Sequence, residues 1–375
     1  MKILILSNVE AGGEWIAMQT LLEKIKRKNS QIRLYMITYT SEKQLIKESL
    51  FDKIIYIKHV HRDKPLKYYR ELICRLIEGV KIINKLFEKH KFNSVIAIDY
   101  VLALSYAISQ KRLDYIYYFH GIKNDYRIFN DTFNHYMIFK KLLEIFSWIL
   151  SKKIIVPSIK AKNYLIDNYY FFLKKMILIV PNLIRDEFKV RYLTKTNTKK
   201  AKNILYSGRL DQNKGIKNLI YAFLKLESKF SKFTLTLAYF GKPNVGLLNM
   251  INNLINKGKN IKLLYDLKVI ELARLYQTSY FGILPSVFET SSLFFKESLE
   301  SKLPIFITNV GDVVEISPNM FILKNNDINT INNKMVDFCQ NTNKYSQSAK
   351  IMFKKWKKEY DEDKIIAIFL QAIKT

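Results

Sequence analysis

The sequence predicts an α/β protein of two domains, and three observations lead there. Short apolar runs alternate with segments of helical periodicity along the whole chain. At 375 residues the chain is longer than one hydrophobic core usually serves. Residues 185–202 are polar and basic with little apolar periodicity, which marks a linker. The predicted division is a first domain over 1–184, a second over 203–350, and a last helix over 351–375.

Composition fits a globular protein, with 49% hydrophobic and 25% charged residues. The net charge is +29, from 62 basic and 33 acidic residues, and it favours nucleic acid, acidic lipid surfaces or phosphorylated substrates as partners. Abundant Lys, Asn, Ile and Tyr are also what an AT-rich genome produces. Two cysteines far apart, Cys74 and Cys339, exclude a disulfide framework and suit a reducing cytoplasm. The N-terminal apolar run stops at Ser7-Asn8, which reads as a first strand rather than a signal peptide. No stretch approaches the ~20 apolar residues needed to span a bilayer.

In the first domain, 2–6 reads as a buried strand, then a Gly12-Gly13 loop, then a helix over 14–27. Strands follow at 32–38 and 53–57. Residues 66–90 form a basic amphipathic helix, which either covers the sheet with a solvated face or lies on an anionic membrane. Strand 94–98 leads to Asp99 and a helix over 101–110, and strand 115–119 ends at His120-Gly121. The helix over 133–150 is the most apolar, but Lys140, Lys141 and Glu144 argue for a core or interfacial helix. Strand 153–156, a helix from Ser158 to Tyr170 and strand 176–180, ending at Pro181-Asn182, complete this domain.

The second domain repeats the rhythm. Strand 204–206 runs through Ser207 into Gly208-Arg209-Leu210, then a polar loop with Lys214-Gly215, then an amphipathic helix over 216–230. Two cations near a strand end, a glycine for close backbone approach and a helix start suit a diphosphate. Strand 233–240, helix 246–257, strand 261–265 and helix 269–277 follow. Strand 280–284 then ends at Pro285-Ser286, before the loop Glu289-Thr290-Ser291-Ser292, a helix over 293–301 and a strand from Pro304. Glu289 and Glu297 have seven residues between them in this βαβ unit, where small hydroxyl side chains and a helix N-terminus would receive an anion. A strand over 320–323 and helical segments, the last over 348–374, complete the chain.

These two motifs resemble the donor-binding segment of GT-B glycosyltransferases, above all the retaining enzymes of family 4. The carriers are Gly208-Arg209-Leu210 with Lys214-Gly215, and the two glutamates set between Pro285-Ser286 and the later strand. The resemblance spans nearly the whole chain in element order and implies two Rossmann-like α/β domains facing each other across a cleft. It also implies that the last helix crosses back to the first domain. Arg209 and Lys214 would hold the donor diphosphate and stabilise the departing nucleoside diphosphate, with no metal and no cofactor. Glu297 would accept hydrogen bonds from ribose hydroxyls, and Glu289 would face the donor sugar. Backbone N–H groups near Ser291, Ser292 and Leu293, with Gly208, would meet the distal phosphate or sugar. Gly12 and Gly13 would approach the reacting sugar and the acceptor, and His120 would contact the sugar from the first domain.

The resemblance implies a nucleotide-sugar donor and a lipid-linked or glycan acceptor in surface glycan synthesis. The positive charge would then serve peripheral contact with the inner membrane face. The chain departs from the pattern in having no glycine over 290–293 and Leu303 where glycine commonly precedes Pro304. A nucleic-acid-binding protein and a catalytically silent GT-B partner are the alternatives. No nucleic-acid-binding motif accompanies the charge, so nucleic acid is not the expected partner.

Overall fold

The computed structural model describes residues 1–10, 12–39, 42–57, 65–110, 114–119, 135–169, 176–189, 202–313 and 316–374. The chain divides into two compact units, Met1–Asn182 with Asp363–Thr375, and Leu183–Glu362.

Unit 1 holds a parallel seven-stranded sheet. Its elements are β1 (Lys2–Ser7), α1 (Gly13–Lys28), β2 (Arg33–Thr38), β3 (Lys53–Tyr56), α2 (Pro65–Lys89), β4 (Ser94–Ala97) and α3 (Tyr100–Gln110). They continue as β5 (Ile116–Tyr118), α4 (His135–Leu150), β6 (Lys153–Val156), α5 (Ile159–Tyr169) and β7 (Ile177–Ile179). The strand order is β3-β2-β1-β4-β5-β6-β7, so direction of growth reverses between β1 and β4. Leu4 of β1 lies opposite Tyr35 on one side and Val95 on the other. Ile3, Leu4, Ile5 and Leu6 are wholly buried. A continuous apolar run of this kind is what a parallel strand covered on both faces requires.

Unit 2 runs β8 (Asn203–Ser207), α6 (Ile216–Glu227), β9 (Thr234–Tyr239), α7 (Val245–Asn256), β10 (Ile261–Tyr265), α8 (Val269–Thr278) and β11 (Phe281–Leu284). It continues with α9 (Leu293–Glu300), β12 (Ile305–Thr308), β13 (Ile322–Leu323), α10 (Ile328–Gln340) and α11 (Thr342–Glu359). Its sheet order is β10-β9-β8-β11-β12-β13, all parallel, reversing between β8 and β11. Side-chain caps start three of its helices: Asn244 on α7, Ser292 on α9 and Asp327 on α10. Phe281, Phe306, Phe338 and Tyr345 pack edge to face or tilted beneath β11 and β12, with centroids 4.7 to 5.5 Å apart.

Two sequence expectations change here. The stretch taken as a linker from residue 185 begins as folded structure of unit 2. Asp186–Phe188 is a 3-10 turn, and Ile184 and Phe188 are fully buried in its core. Phe188 meets Tyr276 edge-on at 4.8 Å, and its carbonyl accepts the Ser301 hydroxyl at 3.1 Å. Mean polarity hid these apolar anchors, and residues 190–201 lie outside the described set.

The single helix expected over 351–375 is two helices. The last turn of α11 belongs to unit 2, where Trp356 stacks on Tyr360 at 4.6 Å and donates to Glu300 at 3.1 Å. The break at Tyr360 is held by its phenol oxygen, which accepts the Ile184 N–H at 2.9 Å. The following α12 (Glu362–Ile373) falls almost wholly within unit 1, where the Ser94 hydroxyl donates to the Ile373 carbonyl. Among the described residues no helix is long and apolar enough to cross a membrane.

Candidate functional site

The two sequence motifs meet at the topological switch point of unit 2. β8 and β11 are hydrogen-bonded neighbours, so the turn after Ser207 and the turn after Leu284 emerge side by side at the strands' carboxyl ends. Gly215 and the β11 turn fit closely. Gly215 has φ 67°, and a Cβ there would stand 2.2 Å from the Pro285 carbonyl oxygen. Only glycine therefore permits this approach. The Val287 N–H donates to the Asn213 carbonyl at 2.8 Å, which adds a main-chain tie between the loops.

Charge closes the junction. The Lys214 ammonium contacts Glu289 Oε1 at 2.6 Å, and the Ser286 hydroxyl donates to the same oxygen at 2.9 Å. The Thr308 hydroxyl, from the end of β12, donates to the Ser286 carbonyl at 2.5 Å. Gly208 continues the ladder by donating its N–H to the Ala238 carbonyl at 3.1 Å. Arg209 is 43% exposed and reaches Asp211 at 3.4 Å, so its guanidinium stands at the rim with most of its donors towards solvent. The Tyr206 phenol beneath it donates to the Arg209 carbonyl at 2.7 Å, and burial drives that phenol far above its ordinary range.

The loop before α9 is fixed from below. The Ser292 hydroxyl accepts the Phe295 N–H at 3.2 Å and Leu293 opens the helix. The Ser291 hydroxyl donates to Asp312 Oδ2 at 3.2 Å, and the Lys296 ammonium reaches the same oxygen at 2.7 Å. Lys296 is only 2% exposed, so a buried cation inside α9 anchors the segment after β12. Gly311 makes that seating possible: at φ 61° its Cα side faces the Thr290 carbonyl, and a Cβ would come within 3.2 Å.

Glu297 stands in a different setting from Glu289. It is 2% exposed, and both Nε and Nη2 of Arg185 contact its Oε1 at 2.8 Å. The Tyr276 phenol donates to Oε2 at a long 3.4 Å. Burial pushes the carboxyl above its usual range, while Arg185 pulls it back down. Glu297 is therefore also a structural residue, and its truncation would disturb the fold as well as any ligand site it serves. Its loss would leave the Arg185 guanidinium without its carboxylate. Arg185 itself was not among the sequence candidates, since nothing local links it to a residue 112 positions away.

In unit 1, Gly12 precedes α1 in extended backbone that any residue adopts, and Gly13 is the first helical residue. This turn follows β1 at the other switch point, beside the end of β4. There Asp99 is buried, accepts the Leu102 N–H at 2.9 Å, and burial raises its carboxyl. His120 lies outside the described residues. The structure places Gly208, Arg209, Lys214, Glu289, Ser291, Ser292 and Leu293 around one switch point of unit 2.

Residues 201–341 match the family described as Glycosyl transferases group 1. Curated proteins give no match to the sequence. Among solved structures, a sucrose-phosphate synthase from Thermosynechococcus elongatus superposes with TM-score 0.77 at 13% identity, covering 99% of this chain and 98% of that one. The Anabaena protein HepE, in complex with UDP-glucose, gives TM-score 0.74 at 14% identity over 100% of both chains. WaaG, a glycosyltransferase involved in lipopolysaccharide biosynthesis, gives TM-score 0.71 at 11% identity over 99% of both. Residues 201–341 are therefore similar to the glycosyl transferases group 1, and the chain as a whole has the GT-B fold of these solved structures, with two Rossmann-like α/β domains.

Proposed function

We propose that the protein transfers a sugar from a nucleoside diphosphate sugar to a lipid-linked or glycan acceptor in surface glycan synthesis, with retention of configuration. The observation that carries this reading is the junction of Lys214, Glu289 and Gly215 at the β8/β11 switch point. Lys214 and Arg209 supply the cations for a diphosphate, and the capped start of α9 adds backbone N–H groups. In the transfer the anomeric carbon–oxygen bond to the diphosphate breaks, and a bond to the acceptor oxygen forms. The acceptor hydroxyl releases its proton to solvent, and the nucleoside diphosphate leaves with one added negative charge. Arg209 and Lys214 stabilise that charge without a metal in this reading. Glu289 orients the sugar in this reading. The HepE complex with UDP-glucose and the lipopolysaccharide role of WaaG support the donor class and the acceptor class.

Peripheral membrane contact belongs to the same proposal. α3 is flanked by α2 and α4, and Tyr69 of α2 meets Phe139 of α4 with centroids 5.3 Å apart. Phe139, Leu142 and Phe146 form an exposed apolar stripe on α4, and α2 exposes Ile73 and Ile77. Apolar side chains on a chain of net charge +29 suit an anionic lipid surface. Phe146→Asp combined with Leu142→Asp is expected to abolish co-sedimentation with phosphatidylglycerol vesicles. Unchanged sedimentation of the variant removes α4 from the contact.

A thermal-shift series with UDP, GDP, ADP, CMP and a short DNA duplex, at low and physiological salt, tests the donor site. One nucleoside diphosphate is expected to raise the midpoint at both salt levels, and Arg209→Ala to reduce or remove the shift. Stabilisation of about 2.7 kcal/mol corresponds to ligand at a hundred times its Kd. A shift with DNA alone that disappears with salt would replace this reading by non-specific charge. A silent partner subunit is the second reading, supported by the glycine-free loop 290–293. Nucleotide binding without turnover of any nucleotide sugar would favour it.

A further inference from the structure

We propose that Arg185 competes with the donor's ribose for Glu297, so that nucleotide binding must first open a built-in ion pair. The inference rests on the donor-site reading above, in which Glu297 serves the ribose hydroxyls.

The geometry gives the pair an asymmetry. Two guanidinium nitrogens converge on one oxygen, Oε1, while among the described residues Oε2 keeps only the long contact from Tyr276. Glu297 is 2% exposed and fixed in α9, whereas the Arg185 side chain is 18% exposed. The arginine is therefore the member that can leave towards water. Its backbone need not move. The Ile184 N–H is held by Tyr360, and the 3-10 turn that follows Arg185 is pinned by the buried ring of Phe188 and the Ser301 hydroxyl. The Arg185 guanidinium also lies over the Phe188 ring at 4.7 Å, an apolar rest that does not need Glu297. Glu187, an acidic neighbour on the same turn, offers the departing cation a local field of opposite sign, while Asp186 is engaged by Lys189 at 2.7 Å.

A carboxylate already engaged by a guanidinium binds a neutral hydroxyl poorly, because the charge-assisted bond is the stronger one. The nucleotide then meets a site of which only a fraction is competent, and its apparent affinity falls by that fraction. The diphosphate contacts at Arg209 and Lys214 stand outside this competition. Arg185 is in this sense a specificity-setting residue: it lowers the contribution of the ribose relative to that of the phosphates.

Calorimetric titration separates the two contributions. The probes are UDP, GDP and ADP, their 2′-deoxy counterparts, and inorganic pyrophosphate, against wild type, Arg185→Gln and Arg185→Lys. For the ribonucleotide that binds wild type, Arg185→Gln is expected to bind about tenfold tighter, as removal of a competing state requires. The gain should shrink with the 2′-deoxy nucleotide and be absent with pyrophosphate. Arg185→Lys, with a single ammonium on Oε1, should show a smaller gain of the same sign. It carries the comparison if thermal unfolding shows that Arg185→Gln is not folded. Equal or weaker ribonucleotide binding by the variants overturns the proposal, as does an equal gain with pyrophosphate. If no nucleotide and no pyrophosphate binds wild type or variants, the donor site itself falls, and the competition with it.

Discussion

Lys214→Ala is expected to reduce turnover of the nucleotide-sugar donor by at least a hundredfold, the largest effect of any single change at the switch point. The ammonium sits between two loops and is mostly buried, with 17% of the side chain exposed. Its field at a diphosphate is therefore screened less by water than that of Arg209, which is 43% exposed. Removing one preorganised donor to developing charge typically costs about 3 kcal/mol of transition-state stabilisation, which is on the order of a hundredfold or more in rate. Arg209→Ala should lose less, about tenfold, because a rim cation is more easily replaced by water and salt. Loss of Lys214 also releases Glu289, which among the described residues would keep only the Ser286 hydroxyl as partner on Oε1. Initial-rate measurements of donor consumption, with UDP titration alongside, read both effects. Turnover within threefold of wild type in Lys214→Ala would remove Lys214 from the site.

Lys296→Leu is expected to destabilise the protein by about 3 kcal/mol, since it leaves the Asp312 carboxylate without its cation in a largely buried position. Asp312 Oδ1 has no hydrogen-bond partner among the described residues, so the Lys296 contact on Oδ2 carries most of the compensation. The double change Lys296→Leu with Asp312→Asn should recover most of the loss, because it removes both charges together. Denaturant unfolding of the two single variants and the double variant gives the coupling between them. A Lys296→Leu variant within 1 kcal/mol of wild type would mean that the loop before α9 is held by Gly311 and Ser291 without the ion pair.

Most of the fold was legible because local rules and the global fold agree in this chain. Strand β1 is an unbroken apolar run, α6 starts where Gly215 turns left-handed, and α9 starts at its serine cap. Elements such as 153–156 and 261–265 fall on the same residues in sequence and structure. The donor motifs were legible because strand-end chemistry is local: Gly208-Arg209 and Pro285-Ser286 each follow a strand that can be read alone. What could not be read is what holds those motifs. Arg185 falls in the stretch read as a basic linker, and nothing local sets Lys296 apart from the many other lysines of the chain. Their partners, Glu297 and Asp312, become neighbours only after folding. Phe188 was diluted by its polar neighbours, and the break at Tyr360 depends on a phenol reaching the Ile184 N–H. Pairings distant in sequence carry no local signature, so periodicity had nothing to register.

The split ownership of the two last helices bears on the order in which the molecule can be completed. The first 182 residues do not make up unit 1 by themselves, because α12 contributes to it after the whole of unit 2 has been passed. Phe369 of that helix lies against Tyr118 of β5, and Ser94 of β4 donates its hydroxyl to the Ile373 carbonyl. During synthesis the N-terminal sheet therefore waits with one flank uncovered while unit 2, contiguous in sequence, can close first. The usual N-to-C order of domain maturation is inverted. A shortened gene ending after α11 would release a finished second unit joined to an unfinished first one, with the rings around Tyr118 open to aggregation.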